Sequence, residues 1–193
     1  MAFFAMVKLN KIYTRAGDDG STQLADGTRR AKHDQRIAAY GAVDEANAAL
    51  GLARLYTHDQ PALDSVLERL QNDFFDLGAD LATPETDAFE ALRISPAQVK
   101  RLEDEIDAMN ANIAPLDSFI LPGGEPAAAH LHLARTIIRN AERLLSAASD
   151  GGDVFSDVAR QYINRASDLL FVAARAANGN GQKDVLWVPG ANR

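Results

Sequence analysis

Hydrophobic residues recur at intervals of three and four from residue 34 onward, and this spacing predicts amphipathic helices. Glycine, proline and polar residues separate five such segments. We predict helices from Ile37 to Leu55, from Pro61 to about Leu81, from a cap at Ser95, from about Pro126 to Ala148, and from about Val154 to Asn178. Because the connections are short, the pattern predicts an all-α five-helix bundle.

Local sequence signals support the ends of these helices. The run Ser95-Pro96-Ala97-Gln98 combines a hydroxyl cap, a proline at the first helical position and a glutamine at the third, which is typical of a capping box. Pro122-Gly123-Gly124 and Gly151-Gly152 interrupt the helical pattern. No segment resembles a linker, so we predict a single domain with an arm (1–33), a helical bundle (34–180) and a tail (181–193).

Residues 8–33 have neither a helical nor a strand period and are predicted to form an extended or looping arm. The segment TRAGDDGST offers hydroxyl groups, backbone N–H groups and two glycines, and Lys32 follows it. Such a loop can wrap a phosphate with its amides. It is not a Walker A loop, because no Gly-Lys-Ser/Thr follows the glycines. An ordinary turn-rich arm would have the same composition.

The fourth predicted helix carries a narrow polar strip, here called the arginine strip, formed by Arg135, Arg139, Glu142 and Arg143. At the spacing of a helix these residues lie within an arc of about 100°, and apolar residues fill most of the remaining surface. Arginine suits polyphosphate because it is always charged and donates through a planar fork. Surface salt bridging along the helix is the alternative interpretation.

Other polar residues lie inside the first and last predicted helices. Asp44 and Glu45 are flanked by small apolar residues and either face a basic partner on a neighbouring helix or are solvated. Asn164, Arg165 and Asp168 interrupt an apolar repeat, and a buried network that fixes helix register would explain them equally well.

Composition narrows the possible functions. The chain has 193 residues, is 47% hydrophobic, lacks cysteine and carries a net charge of −7. The negative charge argues against nucleic acid as a partner, and the lack of cysteine excludes thiolate chemistry. His130 and His132 face different sides of one helix and are a poor chelating pair, so His132 is expected to pack or to form hydrogen bonds. No apolar run is long enough for a membrane span or a signal-peptide core, so we expect a cytoplasmic protein without a membrane partner.

Several motifs occur together in one order: IYTRAGDDGST with Lys32, AYGAVDEANAALG, FDLGADLATP, FILPGG followed by LHLARTIIRNAER, INRASDLLFVAARAAN, and a tail ending DVLW. With these motifs the chain resembles the PduO-type ATP:corrinoid adenosyltransferases from about Lys11 to its C-terminus. The resemblance implies a five-helix homotrimer with active sites between subunits. Asn140 stands where family members commonly have a second arginine, and Ala16 stands where a threonine is usual.

Carried over by motif, the resemblance also implies the roles of individual residues. ATP would be held by Thr14, Arg15, Ala16, Gly17, Thr22, Gln23, Lys32, Arg139, Glu142, Arg143 and Asn164. Phe119 and Leu186 would contact the corrinoid, with Phe119 beneath the corrin ring. Asp44 would pair with Arg135 across the bundle, and the expected catalytic residues are Arg139, Asp44, Arg135 and Phe119. From the residues alone, a core side chain is the favoured interpretation of Phe119, and only the resemblance favours the contact with the corrinoid.

The implied reaction transfers the 5′-deoxyadenosyl group of ATP to the cobalt of cob(I)alamin and releases triphosphate, after a four-coordinate cob(II)alamin has formed. ATP and cobalamin are the expected substrates, Mg²⁺ the expected cofactor without a predicted protein ligand, and a cobalamin reductase and an adenosylcobalamin-dependent enzyme the expected partners. Cob(I)alamin is itself a strong nucleophile, so the absence of a catalytic triad is no objection. The alternatives are another ATP-using transferase, a silent ATP-sensing or corrinoid-delivery protein, and a purely structural bundle.

Overall fold

The computed structural model describes residues 12–193; the first eleven residues of the predicted arm, including Lys11, lie outside this range. The described chain contains five helices, which confirms the all-helical prediction: α1 (Gln35–Arg54), α2 (Pro61–Leu81), α3 (Pro96–Asn110), α4 (Pro126–Asp150) and α5 (Asp157–Ala177). The homotrimer and the extended form of the arm remain predictions.

Capping side chains decide where two of the helices begin. Ser95 and Gln98 form the predicted capping box at the start of α3. The last helix begins at Asp157 rather than at Val154, because the hydroxyl of Ser156 accepts a hydrogen bond from the backbone of the third helical residue, at 3.1 Å. A serine that binds the helix backbone in this way ends the preceding loop.

The core forms where α1 packs against α2 and α4, and where α5 packs against α3 and α4. The buried faces of α1 and α4 are rich in alanine: Ala39, Ala42, Ala46, Ala49 and Ala53 on the first helix, and Ala127, Ala128, Ala134, Ala141 and Ala148 on the second. Small side chains allow two helices to approach closely, and leucine, phenylalanine and tyrosine from the other helices fill the remaining volume.

A buried arginine joins three parts of the chain at one end of the bundle. The Arg36 side chain is 2% exposed, and its guanidinium donates to the Leu81 carbonyl at 2.8 Å, to the Val154 carbonyl at 2.9 Å and to Asp153 at 3.0 Å. It also stacks on the Phe155 ring at 4.2 Å. The start of α1 is thereby held against the end of α2 and the loop before α5.

Four short strands accompany the helices in the described chain. Strands β1 (Ser21–Gln23) and β2 (Arg29–Ala31) form an antiparallel hairpin within the predicted arm. Strands β3 (Ile120–Leu121) and β4 (Val185–Leu186) also pair antiparallel. The prediction of helices alone after residue 33 was therefore wrong here, because a two-residue strand shows no period in the sequence. The tail returns to the segment before α4.

None of the helices in residues 12–193 combines the length and the hydrophobicity needed to cross a membrane.

Candidate functional site

The loop that precedes β1 is compact and carries a lysine close to its backbone. Gly20 donates to the Gly17 carbonyl at 3.2 Å, and the Lys32 backbone donates to the Gly20 carbonyl at 2.9 Å. A β-carbon at Gly17 would lie 3.0 Å from the Ser21 carbonyl oxygen and 3.2 Å from the Lys32 amine. Only glycine fits there without displacing these atoms, so Gly17 allows the Lys32 amine to lie against the loop.

An ion pair and local hydrogen bonds hold this loop in shape. The Arg29 guanidinium donates to the Ala16 carbonyl at 2.8 Å and pairs with Asp19 at 3.2 Å. Hydrogen bonds from Ser21, together with Arg29, lower the pKa of Asp19. Ala16 therefore contributes to the loop through its backbone carbonyl, which accepts the hydrogen bond from Arg29. The Arg15 backbone adopts φ 63°, the left-handed region that non-glycine residues rarely occupy.

The hairpin is attached to the bundle at several points. Leu24 is buried, and the Ala25 backbone donates to the Ala82 carbonyl at 3.1 Å. Thr22 hydrogen-bonds the Tyr40 hydroxyl, whose pKa is raised by burial against the opposing effect of this bond. The Gln23 amide donates to the Gly27 carbonyl at 3.0 Å, so in this structure it stabilises the hairpin turn.

The arginine strip lies along the outer face of α4. Arg139 and Arg143 are exposed, and Arg139 makes no hydrogen bond or ion pair to any residue of the described chain. Arg143 donates to Asn140 at 3.2 Å, so the residue that departs from the family pattern holds its neighbour in place. An unpaired arginine on a helix surface is available to an anionic ligand.

Residues of α5 extend the strip on one side. The Asn164 amide donates to Glu142 at 2.9 Å, which joins the two residues predicted to share the nucleotide site. Arg165 donates to Asn164 at 2.8 Å and pairs with Asp168 at 3.0 Å and with Glu103 at 3.1 Å. This cluster is half-exposed, so it is not the buried register network considered as an alternative.

The loop and the strip are not brought together within one chain. In the described chain, no hydrogen bond or ion pair joins residues 14–33 to Arg139, Glu142, Arg143 or Asn164. Asp44 is exposed on α1 beside a groove of about 390 Å³ that Phe74 and Phe75 help to line. It makes no ion pair with Arg135 among the described residues, so the predicted pairing does not form across a single bundle.

Phe119 lies at the mouth of a cavity of about 700 Å³. Its side chain is 77% exposed, which excludes the interpretation as a core residue. The Trp187 ring packs edge-on against it at 6.1 Å, and the Trp187 backbone donates to the Phe119 carbonyl at 2.8 Å. Leu186 pairs with Ile120 in the strands and faces a shallower depression, so it does not line this cavity.

A buried ion pair holds the tail close to Phe119 and Trp187, which together form an aromatic wall. Arg175 pairs with Asp184 at 2.8 Å, with side chains 7% and 3% exposed. The Asn178 amide donates to Asp184 at 3.0 Å and to the Gly123 carbonyl at 3.2 Å. A β-carbon at Gly124 would lie 2.2 Å from the Asn178 oxygen, and its φ is 98°, so glycine is required there.

Buried and half-buried side chains from α4 and α5 also line this cavity. They are His132, Arg135 and Phe171. Both ring nitrogens of His132 and the Nε of Arg135 are buried without a hydrogen-bond partner. Burial lowers the pKa of His132, and the charge of Arg135 lowers it further, while Asp184 acts in the opposite direction. Burial and the charge of Arg139 lower the pKa of Arg135.

Sequence reasoning missed several residues of this cavity. Trp187 belongs to the DVLW tail, whose single tryptophan was a usable signal. His132 and Phe171 lie in the quoted motifs, but their contact depends on the packing of α4 against α5. Asp184 begins the same tail motif, and its ion pair with Arg175 forms only when the tail folds back across the bundle.

Comparisons with known proteins extend over nearly the whole chain. The sequence profile of the cobalamin adenosyltransferase family matches residues 12–177. The chain is 50% identical over 190 residues to a corrinoid adenosyltransferase of Mycobacterium bovis, covering 97% of each protein. It is 40% identical to a corrinoid adenosyltransferase of Bacillus subtilis, covering 87% of this chain and 86% of that protein.

Solved structures agree with the sequence comparisons. A variant of a PduO-type ATP:corrinoid adenosyltransferase from Lactobacillus reuteri, complexed with cobalamin and ATP, superposes with a TM-score of 0.85 at 37% identity, covering 93% of this chain and 97% of that chain. A second variant of that enzyme, complexed with ATP, gives a TM-score of 0.80 at 37% identity, covering 92% of this chain and all of the other.

Proposed function

The chain belongs to the cobalamin adenosyltransferase family and is an ATP:corrinoid adenosyltransferase, and from this premise we propose which of its residues bind each substrate. The corrin ring lies in the cavity lined by Phe119 and Trp187, and the triphosphate of ATP lies against the arginine strip. The observation that carries this assignment is the exposed aromatic wall, which overhangs a cavity of about 700 Å³ containing Arg135, one helical turn from Arg139. A flat ring fits the wall, and polyphosphate fits the arginines.

The ATP site is proposed to form between two subunits of a homotrimer. The loop of residues 14–32 supplies backbone amides and Lys32, and the arginine strip with Asn164 supplies charge from a neighbouring chain. The separation of these two groups within one chain supports this arrangement, since neither group alone surrounds a nucleotide. Asp44 and Arg135 are likewise proposed to pair between subunits.

In the proposed reaction the cobalt of the cob(I)alamin substrate donates its electron pair to the 5′ carbon of ATP. A cobalt–carbon bond forms, the bond from that carbon to oxygen breaks, and triphosphate leaves with the bonding electrons. No side-chain nucleophile is needed. The protein instead orients the two substrates and stabilises the charge that develops on the leaving group, which is the role proposed for Arg139, Arg143 and Lys32.

Mg²⁺ is proposed to enter with the phosphates of ATP. The described residues contain no group of three side chains able to hold a metal ion, so they do not fit a dedicated protein site. Magnesium bound to a nucleotide usually keeps several waters and takes few protein ligands.

Phe119 is proposed to prepare the cobalt for reduction. A rigid apolar ring below the corrin would exclude both water and the dimethylbenzimidazole base, which leaves cob(II)alamin four-coordinate. Loss of the axial donor lowers the cobalt orbital that receives the electron, so reduction to Co(I) becomes easier. A cytoplasmic cobalamin reductase would supply the electron, and an adenosylcobalamin-dependent enzyme would receive the product.

The direct test is an anaerobic assay with ATP and chemically reduced cobalamin. We expect ATP-dependent loss of the Co(I) absorbance, release of triphosphate and formation of light-sensitive adenosylcobalamin. A folded preparation that binds both substrates but releases no triphosphate would instead be a corrinoid-delivery or ATP-sensing protein.

A further inference from the structure

Three buried nitrogen atoms of residues that line the cavity have no hydrogen-bond partner within residues 12–193: Nδ1 and Nε2 of His132 and Nε of Arg135. In the described chain, buried side-chain atoms without a partner also occur at Asn47 and Arg101, but those two residues make other hydrogen bonds. His132 and Arg135 make none. An unsatisfied buried polar group costs about 1–3 kcal/mol, so two such neighbours indicate a partner that arrives with a ligand.

The donors and acceptors of this pair define what the partner must offer. His132 is 1% exposed, and burial together with Arg135 lowers its pKa, so the ring is neutral near pH 7. A neutral imidazole has one N–H donor and one lone pair, and the Arg135 Nε–H is a further donor. An anion would accept a hydrogen bond from Arg135 but would offer no donor to the lone pair of the imidazole. A primary carboxamide both accepts through its oxygen and donates through its nitrogen.

We propose that His132 and Arg135 form a subsite for a primary carboxamide on the rim of the corrin ring. The carboxamide oxygen accepts from the Arg135 Nε–H, and the amide nitrogen donates to the free ring nitrogen of His132. This subsite rests on the proposed placement of the corrinoid against Phe119, since cobalamin carries such carboxamides around its ring. Only Nε of Arg135 is used, so its terminal nitrogens stay available to Asp44 of another subunit.

The packing around His132 suits a fixed recognition group. The Phe171 ring meets the imidazole edge-on at 6.2 Å, and both rings line the cavity. His132 would therefore fix the position and rotation of the corrin ring in its plane, which keeps the cobalt aligned with the adenosyl carbon. We assign it as a positioning residue.

Trp187 allows this subsite to be tested without turnover, because it is the single tryptophan of the chain and lies in the cavity. Cob(II)alamin is titrated anaerobically in the presence of ATP, and quenching of tryptophan fluorescence gives the Kd. His132→Phe keeps a ring of similar size and removes both nitrogens. We expect its Kd to rise about tenfold, which corresponds to ~1.4 kcal/mol. The melting temperature should stay unchanged or rise, because two buried unpaired atoms are lost.

His130→Phe is the matched control, since His130 stacks on Tyr56 outside this cavity. It should leave the Kd unchanged. His132→Asn keeps a donor and an acceptor near the Nδ1 position, so it should retain affinity within about threefold of the wild-type protein. Both variants should bind ATP normally.

A ligand series tests the carboxamide itself. Cobalamins in which a single rim carboxamide has been hydrolysed to a carboxylate are titrated in the same way. The wild-type protein should bind at least one of them with a higher Kd than cobalamin. His132→Phe should bind that compound and cobalamin equally well, because the variant already lacks the contact that the hydrolysis removes.

The outcomes distinguish a failure of the carboxamide subsite from a failure of the proposed corrinoid placement against Phe119. If no corrinoid quenches the wild-type protein, the corrinoid site is misplaced and the subsite falls with it. If the wild-type protein binds but His132→Phe binds equally well, or loses stability and ATP affinity together, the subsite alone is wrong. Equal discrimination by both proteins across the carboxylate series would also overturn it.

Discussion

Phe119 and Arg139 are the two side chains on which the proposed chemistry depends most directly, and both project away from the core. Phe119 is 77% exposed and contacts Trp187, while Arg139 has no partner among the described residues. Neither contributes much to folding in these positions. Their substitution therefore separates function from stability, which is seldom possible for buried residues.

Phe119→Ala is expected to fold and to bind ATP nearly normally but to lose the four-coordinate cob(II)alamin signal in electron paramagnetic resonance. Its activity should fall strongly when turnover begins from cob(II)alamin, and less with cobinamide, which has no lower base to displace. The melting temperature should remain close to that of the wild type, because an exposed ring leaves no cavity. Phe89→Ala removes another exposed phenylalanine and should change none of these quantities. Equal defects with both corrinoids would contradict the role of Phe119.

Arg139→Ala is expected to raise the KM for ATP and to lower kcat, with a loss of about 2–4 kcal/mol in transition-state binding. Steady-state kinetics with varied ATP measures this loss. Arg69→Ala removes an arginine whose ion pair with Glu105 lies on another part of the bundle, so it serves as the control. Unchanged kinetics in Arg139→Ala would contradict its role in phosphate binding, whereas Arg135→Ala should impair turnover through its pairing with Asp44.

At the scale of elements, the helices and the strand pair differ in how far sequence determines them. The capping box at Ser95 and the long apolar periods of α2 and α4 are local signals, and the structure confirms those helices. The β3–β4 pair joins residues more than sixty positions apart, and no local pattern encodes it. The arginine strip was predictable because one helix carries it. The cavity was not predictable, because its walls come from the segment before α4, from α4 and α5, and from the tail.

The tail depends on one buried ion pair, so Asp184→Asn should detach it. The substitution leaves Arg175 buried without its counter-charge, at a local cost on the order of 3 kcal/mol. We expect a red shift of Trp187 fluorescence and weaker corrinoid binding, while helical circular dichroism and ATP affinity are retained. Asp104→Asn breaks an exposed ion pair on α3 and should have no such effect. Unchanged fluorescence in Asp184→Asn would show that β4 is held by other contacts.

At the scale of the whole molecule, the single chain leaves its functional groups apart. Within the described residues, no hydrogen bond or ion pair joins the loop of residues 14–32, the arginine strip and Asp44 to one another. An assembly in which each surface meets a different surface of the next copy would bring them together. Size-exclusion chromatography with light scattering is expected to give the mass of a trimer.

Asp44 and Arg135 should then act as one unit across the subunit boundary. Each single replacement by alanine leaves a charge unmatched, so both single variants should impair turnover about as much as the double variant does. The cycle is measured by kcat/KM together with the oligomeric mass. Strictly additive losses would contradict the pairing.

The return of the tail to the segment before α4 determines which part of the protein unfolds first on heating. The pairing of β3 with β4 closes a loop that contains both α4 and α5, whereas the backbone hydrogen bonds of each helix join residues four apart. The side chains of Val185, Leu186 and Trp187 are also between 43% and 48% exposed, which is typical of a segment that opens locally at low free energy. As temperature rises, the tail should separate while the bundle is still intact. Catalysis should therefore disappear several degrees before the helices melt.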